Sequence, residues 1–135
     1  MLDTKRKWIG GPGREGDGPH RTRSVLVAED EPLVRQALEG VLEARGHRVQ
    51  SVASAPQAIR AIERRLPDAA VVDWKMPGGG EAILWELLGR MDFQGPVILV
   101  SGALGSDLPR EFEGRVARLH KPFSFSQVAH LVETG

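Results

Sequence analysis

Three short runs of uninterrupted apolar residues constrain this chain more than any other feature: Val25-Leu26-Val27-Ala28, Ala69-Ala70-Val71-Val72 and Val97-Ile98-Leu99-Val100. A strand that is apolar at every position is covered on both faces, which points to a parallel sheet between layers of helix. Two further stretches, 47–53 and 115–120, mix polar and apolar residues and suit the edges of that sheet. Between the runs, apolar residues recur at helical spacing. Leu33, Val34, Ala37, Leu38, Val41 and Leu42 line a first helix, and Ala58, Ile59, Ile62 and Leu66 a second. Ile83, Leu84, Leu87 and Leu88 mark a third; Phe125, Val128, Ala129 and Val132 mark the last. Gly46 and Pro67 are natural stops. A helix near 107–113 is limited by Pro109 and Gly114 to about two turns at most.

Strand and helix therefore alternate five times, the pattern of an α/β fold. Right-handed crossovers, with the apolar strands inside and the mixed ones outside, predict the parallel order 2-1-3-4-5. The expected fold is a flavodoxin-like, doubly wound (βα)5 domain.

At 135 residues the chain has room for one core. Lys and Arg total 18, as do Asp and Glu, so the basic excess of a general nucleic-acid or membrane-surface binder is absent. Without cysteine there is no disulfide, thiolate metal site or thiol nucleophile. The apolar runs are too short to span a bilayer, and the basic N-terminus is not followed by the apolar stretch of a signal peptide. The expected location is the cytoplasm. Residues 1–23 are rich in glycine and carry six basic against three acidic residues. They read as a disordered, solvated leader, with a basic arm for an acidic partner as the alternative. The folded domain is expected over 24–135, which leaves no room for an output domain.

Parallel α/β sheets place ligands beyond the carboxyl ends of their strands. Strand one runs into Glu29-Asp30-Glu31, strand three into Asp73, strand four into Ser101, and strand five into Lys121-Pro122. Each residue has an ordinary structural reading: acids in a first helical turn ahead of Pro32, a turn aspartate, a capping serine, a surface lysine. Their conjunction at one sheet edge is what indicates a site. Clustered carboxylates repel one another unless a cation sits among them, and an all-oxygen set favours a hard divalent ion such as Mg²⁺. A carboxylate at the end of a central strand, as Asp73 is, can act as a nucleophile toward phosphorus and form an aspartyl phosphate. Lys121 supplies a point cation and Ser101 a hydroxyl for phosphoryl oxygens.

Glu29-Asp30, Asp73-Trp-Lys-Met-Pro-Gly, Ser101-Gly and Lys121-Pro-Phe, in that order, resemble the receiver domain of bacterial two-component response regulators, single-domain type. The resemblance covers about residues 23–134. It implies that Asp73 accepts a phosphoryl group from a histidine kinase, a histidine phosphotransfer protein or a small phosphodonor. It implies Mg²⁺ as cofactor, organised by Glu29, Asp30, Asp73 and the backbone carbonyl of Lys75. Ser101 and Lys121 would sense the phosphoryl oxygens, Gly102 would leave the pocket open to a phosphodonor, and the Lys121–Pro122 peptide would be cis. A separate effector protein would read the phosphorylated state, with no direct DNA binding and no membrane partner.

The sequence also departs from the family's pattern. Arg118 stands three positions before the lysine, where the family often has an aromatic switch, so a salt bridge is the alternative route for the signal. Lys75 stands two residues after the acceptor, where its ammonium is expected to reach the phosphoryl group and alter its lifetime. The stretch 77–81 is one residue shorter than the usual loop, which questions the output face. Trp74 is expected to report metal binding, Trp85 to pack in the core, and His20, His47, His120 and His130 to be structural. Two rival functions are a degenerate receiver that binds its partner without phosphorylation and a Mg²⁺-dependent phosphohydrolase. Lys75, standing where such a hydrolase has a second aspartate, disfavours the latter. A dinucleotide site is excluded by Glu29-Asp30-Glu31-Pro32, which would repel a pyrophosphate.

Overall fold

The computed structural model describes residues 22–102 and 108–134. The expected leader, apart from its last two residues, and the start of the weak fourth helix lie outside them. The elements follow in the order β1 (Ser24–Ala28), α1 (Pro32–Ala44), β2 (Arg48–Val52), α2 (Ala55–Arg64), β3 (Ala69–Asp73), α3 (Gly80–Leu88) and β4 (Val97–Ser101). A single 3-10 turn (Arg110–Phe112), β5 (Ala117–His120) and α4 (Phe125–Thr134) complete the chain. The five strands are all parallel, in the order β2-β1-β3-β4-β5. This is the predicted doubly wound, flavodoxin-like sheet.

Alternation along each central strand divides the core in two. Leu26, Ala28, Ala70, Val72 and Leu99 pack under α2 and α3, against Ile62, Ile83 and Leu87. Val25, Val27, Val71, Ile98 and Val100 pack under α1 and α4, against Leu38, Leu42 and Val132. Each fully buried Leu, Ile or Val among them contributes about 1.5–3 kcal/mol. Strands buried on both sides need apolar residues at every position, which is why the three apolar runs occupy the centre of the sheet.

Local signals set the helix starts. Pro32 opens α1, where its missing N–H costs nothing. Ser54 caps α2 by accepting from the Gln57 N–H at 3.4 Å, while the Gln57 amide oxygen accepts from the Ala53 N–H at 2.8 Å. The turn between β3 and α3 depends on glycine. Gly78 has φ +88° and lies so close to α2 that a Cβ there would fall 2.8 Å from the Ala55 Cβ. At Gly80 a Cβ would meet the Asp73 carbonyl oxygen at 2.7 Å, so α3 starts hard against the end of β3.

Among its described residues, the connection from β4 to β5 carries one 3-10 turn, anchored by the buried Phe112. Trp85, expected in the core, is 47% exposed. It lies on Phe112 with ring centroids 4.5 Å apart, and its indole N–H donates to Glu81 at 3.1 Å. The turn around Phe112 covers one side of the indole, and the tryptophan is left half in solvent.

Candidate functional site

The carboxyl ends of β1, β3, β4 and β5 bring the predicted residues together. Asp73 is the last residue of β3 and Glu29 follows β1 directly; they are 4% and 1% exposed. Asp30 is exposed at the mouth. Carboxylate oxygens of Glu29, Asp30 and Asp73 lie within 4.8 Å of one another. Ser101, also buried, ends β4 one rung beyond the Asp73–Val100 pair, and its carbonyl accepts from the Lys121 N–H at 2.9 Å. The Lys121 ammonium stands 3.4 Å from Asp73 Oδ2 and 3.4 Å from Glu29 Oε1. The Lys121–Pro122 peptide is cis, as the resemblance implied.

Backbone groups hold the acids in place. Asp73 Oδ1 accepts from the Lys75 N–H at 3.2 Å, while the Trp74 N–H continues the ladder to the Val100 carbonyl at 3.0 Å. Glu29 Oε2 accepts from the Glu31 N–H at 3.1 Å. Lys75 itself is exposed at the rim. Burial pushes the Glu29 carboxyl up to about 7, and the nearby Asp73 charge adds to the effect against the pull of the Glu31 N–H and Lys121. Burial works against charge on Lys121, but Asp73 and Glu29 outweigh it and hold the ammonium above its ordinary range.

One ammonium does not balance three carboxylates. Glu29 Oε1, buried, accepts no hydrogen bond among the described residues, and the ammonium 3.4 Å from it is shared with Asp73. A buried carboxylate oxygen so weakly matched costs free energy that a second cation would offset. The three-oxygen set fits a hard divalent ion of the size of Mg²⁺, which uses few carboxylates and keeps water in its other positions.

The sequence reading missed one residue of this edge. Arg35, one turn into α1, donates from Nη1 to the Glu29 carbonyl at 2.9 Å and to the Asp30 carbonyl at 3.4 Å. Its only signal is its place five and six residues beyond the acids. Arg118 is exposed on β5 and forms no ion pair among the described residues.

A model of the response regulator receiver domain family matches residues 25–133. The chain belongs to that family. This receiver is 31% identical over 115 residues to the transcriptional regulatory protein PdtaR of Mycobacterium tuberculosis, covering 82% of the chain and 55% of the relative. Its fold is similar to the receiver domain of the Francisella response regulator 1452, with TM-score 0.71 and 26% identity over 82% of this chain and 93% of that one. The receiver domain of the Pseudomonas aeruginosa sensor histidine kinase PA1611, whose structure holds a magnesium ion in its active-site cleft, matches in fold with TM-score 0.66 and 23% identity. That match covers 83% of this chain and 95% of that one. The receiver spans about half or less of the curated relatives it matches. Among the described residues no helix is long and apolar enough to cross a membrane.

Proposed function

We propose that the domain is a phosphoacceptor switch in which Asp73 takes a phosphoryl group from a phosphohistidine. The observation that carries this reading is the convergence of Asp73, Glu29 and Lys121 in one buried pocket, with acid in excess of base. An Asp73 Oδ attacks phosphorus as the phosphorus–nitrogen bond of the donor breaks, and the imidazole leaves with the electron pair and takes up a proton. Asp73 is prevented from rotating by the Lys75 N–H and Lys121, so the attacking oxygen is already oriented. Lys121 is positioned to meet an equatorial phosphoryl oxygen, and Ser101 to donate its hydroxyl to another. Glu29, Asp30, Asp73 and the Lys75 carbonyl would hold Mg²⁺, which when bound supplies neutralisation of the charge gathered on the phosphoryl group.

On this reading the donor is a histidine kinase or a histidine phosphotransfer protein, in the cytoplasm. A separate effector protein, and not DNA, reads the result. The exposed Lys75 sets the lifetime of the acyl phosphate. Intact mass after incubation with acetyl phosphate and Mg²⁺ tests the proposal. One phosphoryl group is expected, absent when the metal is chelated and released by hydroxylamine as an acyl phosphate must be. An adduct that forms equally with and without metal, or that resists hydroxylamine, would overturn it. Failure of any adduct to form, from acetyl phosphate or from phosphohistidine donors, would favour the phosphorylation-independent interaction module.

A further inference from the structure

We propose that Arg35 is a positioning residue for the cation site, fixing the turn that carries Glu29 and Asp30 and so the spacing of the carboxylates a divalent ion must span. The inference rests on reading the acidic pocket as a divalent-cation site. Sheet pairing stops where that pocket begins: the Glu29 N–H bonds to the Val52 carbonyl at 3.0 Å, and the backbone from there to Pro32 has no strand beside it. A short turn of this kind, bearing two mutually repelling acids, has little of its own to hold it. Arg35 closes it from the helix side. Its guanidinium takes up the two successive carbonyls of the acid-bearing residues, and its own N–H bonds to the Glu31 carbonyl at 2.9 Å. One side chain thus ties two consecutive residues of the turn to the first turn of α1, and the helix's own backbone bond holds the third. With the turn held, Glu29 Oε2 accepts from the Glu31 N–H, while Oε1, which accepts no hydrogen bond among the described residues, faces the pocket 3.4 Å from the Lys121 ammonium. That is the arrangement a metal ion rewards.

Charge and geometry make opposite predictions for this residue. A guanidinium beside the pocket repels a second cation, so on electrostatics alone its removal strengthens Mg²⁺ binding. If it holds the ligands in register, its removal weakens binding, as loss of an outer-shell partner does. The sign of the change decides.

The test is a Mg²⁺ titration of the full chain, wild type beside Arg35→Met, Arg35→Lys and Asp30→Asn, followed by calorimetry and by Trp74 fluorescence. Thermal unfolding is run in parallel in EDTA. Arg35→Met is expected to bind Mg²⁺ about tenfold more weakly, while its metal-free unfolding temperature moves by only a few degrees. Arg35→Lys, which keeps the charge and one donor direction, is expected to recover part of the affinity. Mg²⁺ affinity in Arg35→Met equal to or above that of wild type overturns the inference, with Asp30→Asn still marking the site. No saturable Mg²⁺ response in wild type overturns the cation site itself, and this inference with it. If Arg35→Met does not fold, Arg35→Gln takes its place, under the same two criteria.

Discussion

The two ends of the sheet treat charge in opposite ways. At the amino end, Glu133 in the last turn of α4 lies between Arg45, just past α1, and His47, just before β2. Glu133 accepts from Arg45 Nε at 2.6 Å and Nη2 at 2.5 Å, and from His47 Nε2 at 2.8 Å. The other ring nitrogen of His47 accepts from the Arg23 N–H at 3.0 Å, which assigns the proton to Nε2. Contact with Glu133 also holds the Arg45 guanidinium above its ordinary range. At the carboxyl end, three acids cluster where one lysine pairs with two of them, Glu29 and Asp73, and the buried Glu29 Oε1 accepts no hydrogen bond among the described residues. The first end joins β1, α1, β2 and α4 through a carboxylate that accepts from both Arg45 and His47. The second is left under electrostatic tension, which is what a site awaiting a cation and a phosphoryl group requires. On the proposed function, stability and function are thus drawn from opposite edges of the same strands.

Perturbing each end should therefore give opposite phenotypes. The largest effect is expected for Glu133→Ala, which takes the carboxylate away from the buried His47 and from Arg45. It should lower unfolding free energy by about 2 kcal/mol in urea titrations, with phosphoryl uptake at Asp73 unchanged. Gly78→Ala should cost about 1–2 kcal/mol, because the residue needs a positive φ and its Cβ would press on Ala55. Unlike Glu133→Ala, it should also slow phosphoryl uptake, since it strains the loop after the acceptor.

A smaller, pH-dependent effect is expected at Glu29. Its carboxyl titrates at about 7 when folded, above its ordinary value of 4.5. The folded state thus binds this proton more tightly than the unfolded one. Stability from this group is full below its unfolded value and is lost as pH rises toward 7. Metal-free wild type should lose stability across that window, Glu29→Gln should not, and Mg²⁺ should restore much of the loss at neutral pH. The smallest effect is expected for Lys75→Ala, which should shorten the lifetime of the phosphorylated form a few-fold by opening its rim to water. An unchanged dephosphorylation rate would remove Lys75 from the account.

The contrast between the two ends also explains what was legible in the sequence. The proposed functional end lies one or two residues beyond three apolar runs and one mixed strand, so Glu29, Asp30, Asp73, Ser101 and Lys121 can be read from strand ends alone. The structural end could not: Glu133 meets His47 across 86 residues of chain, and nothing in either helix period announces the pairing. His47 was read as structural, which its buried contacts bear out, but without its partner. Arg35 escaped notice because it acts on backbone carbonyls, which carry no sequence signal. Trp85 was misplaced for a different reason. Helical spacing puts it on an apolar face of α3, and among the described residues between β4 and β5 it meets the 3-10 turn at Phe112, which covers it on one side.

The most direct test sets the two ends against each other in one experiment. Wild type, Asp73→Asn and Glu133→Gln are incubated with acetyl phosphate and Mg²⁺ and weighed intact. One phosphoryl group on wild type and on Glu133→Gln, and none on Asp73→Asn, is the predicted result. An adduct that persists in Asp73→Asn, or that is lost with Glu133 while the domain stays folded, would contradict the assignment of function to the carboxyl edge.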